Sequence, residues 1–286
     1  MAVSVSLGTS QQVRNRADEP SLPVINRFFE QNPTNTKEGS SLIERPALVK
    51  FNSAGSGPGR RLFRQAGFAN GDLFHVSGNG LYRHSFNTLT RVPSVVQIPG
   101  TIQGTGAPEI CATQQRLFIT DGYTLQYTDG VAALAAVDTS GIGGVAFSSI
   151  DVFDTYVMCA VGGSDRFYWL QPGAIVFQPL DFATAERFPD KIVQVRAVGD
   201  TLWLMGEKSV EVWRATGDGT APFQRIEGIA WNFGIFPGTA VRMKDTSVIV
   251  VGDDGTVYHI AGMPSEISTP AIAETCRDAI LKYLGG

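Results

Sequence analysis

With 286 residues, 43% hydrophobic and 17% charged, the chain carries enough apolar material for a core and too much for general disorder. Its formal charge of −4 excludes broad electrostatic binding to nucleic acid, which needs a positive surface. Three cysteines, Cys111, Cys159 and Cys276, are odd in number and far apart, which excludes a disulfide framework and a zinc-ligand spacing. All three sit in apolar sequence and are expected as buried free thiols of a protein made in a reducing cytosol.

Residues 1–40 are polar and lack a charged start followed by an apolar run, so no signal peptide is read. No stretch reaches the length of a membrane span, and the protein is expected to be soluble. This segment is expected to form an extended N-terminal arm. Within it LPVINRFFE (22–30) is an apolar island suited to docking on the body or on another subunit. Further on, GSGPG (55–59) has the glycines of a phosphate loop but no Lys-Ser/Thr ending, and Pro58 removes an amide donor. GRRLFR (59–64) is the strongest local basic run, expected as three arginines around a solvated turn rather than a nucleic-acid patch.

From residue 72 onward a hairpin recurs. DLFHVSGNGLYRHS, RLFITDGYTLQYTDG, TYVMCAVGGSDRFYWLQPG, TLWLMGEKSVEVW and SVIVVGDDGTVYHIAG each read as an apolar strand, a tight turn and a second strand. The second strand of each carries Tyr82, Tyr127, Trp169, Trp213 or Tyr258. Aligning the first strands puts Leu73, Leu117, Val157, Leu202 and Val248 at equivalent positions, 44, 40, 45 and 46 residues apart. A further short strand precedes several hairpins, as in ICATQQ, VRAVGD and VRMKD.

An antiparallel sheet every 40–46 residues has the spacing of a β-propeller blade. The runs Leu202 to Met205 and Val248 to Val251 are apolar at both parities, which requires cover on both faces, as blade-on-blade packing provides. A β-sandwich is the alternative, but its strands would keep one polar face. The C-terminal STPAIAETCRDAILKYLGG reads as a helix capped by Ser268 or Thr269, with Pro270 in the first turn and Gly285 at its end. Its expected apolar stripe is Ile272, Cys276, Ala279, Ile280, Tyr283 and Leu284. The fold class is therefore all-β: an arm over 1–40, a propeller of about five four-stranded blades over 41–264, and a helix over 265–286.

No catalytic, cofactor-binding or metal-ligating residue can be assigned. His75, His84 and His259 fall in or beside the hairpins without a recognisable carboxylate or thiol partner, and are read as structural. Asp253-Asp254 reads as turn chemistry rather than a metal site.

Four stretches together resemble the packaged-DNA stabilisation proteins of short-tailed bacteriophages. They are LPVINRFFE, LIERPALVKF (42–51), GDTLWLMGEKSVEVWRATGDGTAPFQRIEG (199–228) and GDDGTVYHIAGMPSEISTPAIAETCRDAI (252–280). The matching motif positions are Gly206, Ser209, Glu211, Trp213, Pro222, Phe223 and Ile267-Ser268-Thr269. The resemblance implies a non-enzymatic virion protein without a cofactor, made in the bacterial cytoplasm and placed in the phage tail. It further implies a hexameric ring that joins the portal and adaptor rings to the distal tail, and a channel that seals packaged DNA without reading its sequence.

Relatives in this family continue past the Ile-Ser-Thr helix. The expectation is thus either a short propeller whose 42–67 region pairs into the last blade, or one completed by further residues or another chain. The competing class is a propeller that recognises host-surface glycans or a protein partner, which would show clustered exposed aromatics on one face.

Overall fold

The computed structural model describes residues 27–31, 40–44, 50, 52–90, 92–185, 188, 190–219 and 221–284. The chain divides into two compact units, residues 1–51 and 52–286. In the first, strand β1 (Arg27–Gln31) pairs antiparallel with β2 (Ser40–Glu44), setting Phe28 opposite Ile43 and Phe29 opposite Leu42. The arm expected over 1–40 therefore contains a strand whose partner straddles that boundary. Residues 22–26 of the apolar island lie outside the described residues.

The second unit is five four-stranded sheets, each made of strands consecutive in sequence. Blade 1 comprises β3 (Gly59–Arg64), β4 (Leu73–Ser77), β5 (Gly80–Phe86) and β6 (Pro93–Ile98). Blade 2 comprises β7 (Glu109–Ala112), β8 (Leu117–Thr120), β9 (Leu125–Thr128) and β10 (Ala135–Ala136). Blade 3 comprises β11 (Phe147–Phe153), β12 (Tyr156–Val161), β13 (Arg166–Leu170) and β14 (Phe182–Thr184). Blade 4 comprises β15 (Ile192–Val198), β16 (Thr201–Gly206), β17 (Val210–Ala215) and β18 (Phe223–Trp231). Blade 5 comprises β19 (Val241–Arg242), β20 (Val248–Val251), β21 (Val257–Ala261) and β22 (Met263–Glu266). Helix α1 (Pro270–Leu284) follows.

The expected hairpins are the second and third strands of each blade, and the short preceding strands are the first. One expectation fails: β3 opens its own blade, and the strands of the last blade are drawn from residues 241–266, so no described residue of 42–67 adds a strand to it.

Four apolar clusters glue successive blades. Phe74, Val76, Leu81 and Ile98 of blade 1 meet Ile110, Leu117 and Ile119 of blade 2. Phe118 and Leu125 meet Phe147, Cys159 and Tyr168 of blade 3. Phe167 and Trp169 meet Val195, Leu204 and Trp213 of blade 4. Trp203, Met205 and Val212 meet Val248, Val250 and Ile260 of blade 5. Among the described residues no such cluster joins blade 5 to blade 1.

That difference decides which strands are buried on both sides. In β16 five consecutive residues from Leu202 are buried, as a strand between two blades must be. In β20 burial alternates: Val248 and Val250 face blade 4, whereas Ile249 and Val251 are half-exposed. The expected two-sided burial of Val248 to Val251 does not hold, because a terminal blade has one neighbour. Leu62 on β3 and Val241 on β19, 66% and 56% exposed, show the same at both ends of the stack.

Helix α1 starts where expected, although the cap is Thr269, whose Oγ1 accepts the Ile272 N–H at 3.4 Å. Ser268 instead accepts the Val257 N–H at 3.1 Å, tying the helix entry to β21. The buried positions are Ala273 and Ile280 with Cys276 half-buried, while Ile272 and Ala279 are exposed, so the stripe is rotated from the expected one. The cause is close docking on the β20–β21 turn. Gly255, at φ +85°, approaches so near that an added Cβ would lie 2.8 Å from the Ala273 carbonyl oxygen, and Arg277 donates to the Asp254 carbonyl at 3.0 Å. The side chains of Tyr283 and Leu284, and all of Gly285, lie outside the described residues.

Candidate functional site

The first strands of the five blades surround the propeller axis, the place where propellers present ligand sites or channels. Here side chains from all five fill it. Arg196 of β15 sends Nη2 to Glu109 Oε2 of β7 at 2.6 Å, and Arg61 of β3 reaches Glu109 Oε1 at 3.3 Å. Both Arg196 and Glu109 are buried. Arg196 also donates through Nε to the Ala240 carbonyl beside β19 and through Nη1 to its own chain at Val195. Beside it, Asp151 of β11 accepts the Ala197 N–H at 2.9 Å and pairs with Arg242 of β19 at 3.6 Å. Arg242 donates to the Ala197 carbonyl at 2.8 Å.

This network does what a sheet cannot. Neighbouring first strands belong to different sheets, so no backbone ladder joins them, and side chains bridge instead. Ser149 Oγ accepts the Val195 N–H and Gln194 Oε1 the Ala240 N–H, each 46 residues apart, one blade repeat. Gln194 is 1% exposed, and its Nε2 has no partner among the described residues. A cleft of about 500 Å³, lined by Arg61, Glu109, Ser149, Gln194 and Phe236 among others, sits at one end of the axis. A second of about 390 Å³, lined by Phe153, Asp200 and Arg242 among others, sits where β11 and β15 end.

Chemically the site is a structural lock. Burial pushes the Cys111 and Cys159 thiols well above their usual range, which keeps the thiolate nucleophile scarce. Among the described residues no group of three His, Cys, Asp or Glu side chains is arranged to hold a metal.

The run GRRLFR is β3 rather than a solvated turn, and its guanidinium groups are engaged. Arg60 donates to the carbonyls of Gly106, Gly78 and Gln103 at 2.7, 2.9 and 2.8 Å, clamping blade 1 to the loop that leads to blade 2. Arg64 donates to Gly71. The GSGPG loop folds onto the turn of its own blade, where Ser77 donates to the Gly57 carbonyl at 2.8 Å. Asp253 pairs with Lys208 at 2.9 Å, and Asp254 accepts the Thr256 N–H and hydroxyl. His259 meets Ser247 Oγ at 2.8 Å, while His75 and His84 come together on blade 1. The exposed aromatics among the described residues are Phe86 and Tyr123, on different blades, so these residues form no exposed aromatic cluster.

The motif residues of blade 4 have a common explanation. Asp190 Oδ2 accepts the N–H groups of Lys208 and Ser209 and the Ser209 hydroxyl at 2.8, 2.8 and 3.0 Å, gripping the β16–β17 turn. Gly206 passes so close that a Cβ there would clash with the same carboxylate. Glu211 is buried and accepts the Trp213 indole N–H at 3.3 Å, and Phe223 stacks edge-on against Trp169 with centroids 5.2 Å apart. Asp190→Ala should cost about 2–3 kcal/mol, because three donors lose a charged acceptor in a buried site. Urea unfolding measures it, and a loss below about 1 kcal/mol would remove this carboxylate from the fold's essential contacts.

A family model described as "Bacteriophage P22 Gp10, beta-propeller" matches residues 26–280. A search of curated proteins returns no match. Among solved structures the chain is similar to PorZ, a surface component of the type-IX secretion system of Porphyromonas gingivalis. That likeness has 13% identity and TM-score 0.45, and covers 73% of this chain and 27% of that one. It is also similar to YCF48 bound to D1 peptide, with 11% identity, 82% and 72% coverage and TM-score 0.47. YCF48 from Cyanidioschyzon merolae follows, with 12% identity, 71% and 70% coverage and TM-score 0.45.

Proposed function

The chain belongs to the Bacteriophage P22 Gp10 β-propeller family of phage stabilisation proteins, and from that premise we propose that it is a structural protein of the head-to-tail connector. In this reading it is not an enzyme. Copies form a ring, hexameric by resemblance, between the portal-adaptor assembly and the distal tail, and the ring extends and seals the conduit for packaged DNA. The family match over nearly the whole chain carries the proposal.

Two physical features support it. The axis of the single propeller holds the Glu109–Arg196 pair and its neighbours, which supports a conduit enclosed by several copies rather than one running through a single chain. The net charge of −4 gives a wall that repels DNA and lets it slide, where a basic wall would hold it. No helix among the described residues is long and apolar enough to cross a membrane.

The first unit and the loops at one rim are assigned the contacts to neighbouring rings. Deleting residues 1–51 removes the β1–β2 hairpin whole and leaves all five blades and helix α1. The truncated chain should keep its β circular dichroism and cooperative unfolding yet fail to join tails onto filled heads in an assembly assay. Normal assembly by the truncation overturns the role of this unit. Phage lacking the protein should fill their heads and then lose the DNA; DNA-retaining particles would overturn the connector role itself.

A further inference from the structure

The face of blade 1 turned away from blade 2 holds two histidines from neighbouring strands. In the β4–β5 register His75 stands opposite Tyr82 and Leu73 opposite His84, which puts both imidazoles diagonally on the same face. His75 Nδ1 and His84 Nε2 lie 3.3 Å apart, with ring centroids separated by 5.4 Å. As a hydrogen bond this is at the long end, since N–H···O bonds commonly span about 2.7–3.2 Å. Two imidazoles bound at about 2.0–2.1 Å to one tetrahedral ion hold their nitrogens about 3.3–3.4 Å apart.

We propose that His75 Nδ1 and His84 Nε2 form a two-histidine site for a divalent ion of the Zn²⁺, Ni²⁺ and Cu²⁺ class, with water completing the coordination. Imidazole nitrogen suits these ions, whereas Ca²⁺ and Mg²⁺ demand oxygen ligands. The donors are ready for a metal. Among the described residues His84 Nδ1 is buried without a partner, so no hydrogen bond from them to Nδ1 forces the ring proton onto Nε2 and removes its lone pair. The third histidine, His259, belongs to blade 5 and is taken up by Ser247, which makes the pair the chain's one facing set of imidazoles.

The test is calorimetric titration of the untagged full chain with ZnCl₂ and NiCl₂. Saturable binding near one ion per chain is expected, weakened at least tenfold in His75→Gln and in His84→Gln. Binding should be unchanged in His259→Gln and in Cys276→Ser, the latter removing the half-buried thiol. CaCl₂ and MgCl₂ should give no saturable heat. Since His84 is buried and its variant could misfold, the half-exposed His75→Gln decides the case, with circular dichroism confirming its fold. Cu²⁺ electron paramagnetic resonance should show hyperfine coupling to two nitrogens in the wild type. Absence of saturable binding in the wild type, or equal binding in His75→Gln, means that the pair is only a hydrogen bond and overturns the proposal.

Discussion

Arg196→Met is expected to lower the unfolding free energy by about 3–5 kcal/mol, a cost typical of removing one partner from a buried pair. The change strips Glu109 of its closest counter-ion and leaves it buried with Arg61 alone at 3.3 Å. It also removes the donor to Ala240, so the contact that Arg196 makes between blade 4 and the start of blade 5 goes with it. Urea unfolding followed by tryptophan fluorescence measures the loss, since Trp203 lies in the adjoining cluster. The double variant Arg196→Met with Glu109→Leu should recover a large part of the loss, because the two buried charges leave together and Arg61, the remaining partner, is 28% exposed and keeps access to water. A single-variant loss under about 1 kcal/mol, or a double variant no better than the single, would show that the axis is not locked by this pair. In the ring proposed above, a loosened axis would also weaken a wall that must withstand packaged DNA, so particles carrying Arg196→Met should lose their genome at lower temperature than wild type.

Phe167→Ala should cost about 3–5 kcal/mol, whereas Leu62→Ala should change stability by no more than about 0.5 kcal/mol. Phe167 is fully buried between blades 3 and 4, edge-on to Trp213 at 5.2 Å, and its removal leaves a cavity that rigid sheets on both sides cannot close. Leu62 is as apolar but lies on the face of blade 1 turned away from blade 2, its one packed neighbour among the described residues. The contrast therefore measures whether the two ends of the blade stack are covered in the free protein. A Leu62→Ala loss above about 2 kcal/mol would mean that this face is packed after all.

The repeat was legible because blade packing imposes a beat on the sequence: Leu73, Leu117, Val157, Leu202 and Val248 all begin second strands or sit one residue inside them. The helix start was legible for the same local reason, with the cap narrowed to Ser268 or Thr269 and the structure choosing Thr269. The axis was missed, although a signal existed. Asp151, Arg196 and Arg242 recur one repeat apart on first strands, and charged residues at strand positions that should be buried are unusual enough to mark. The partnership of His75 with His84 was likewise hidden, because their nine-residue separation says little until the register of β4 on β5 is known.

What the sequence determined by itself was everything set by neighbours along the chain: strand periodicity, turns, the helix start, and a 40–46-residue repeat that only face-to-face sheets satisfy. What the tertiary structure alone decided was everything that depends on which surface meets which. It made Arg60 a clamp rather than part of a basic patch, turned the helix onto Ala273 and Ile280, and left Ile249 half-exposed while Trp203 is enclosed. The reason is physical: local propensity is read from a few residues, but burial and charge pairing depend on partners one or more blades away, and blades at the two ends of a stack have one neighbour where inner blades have two.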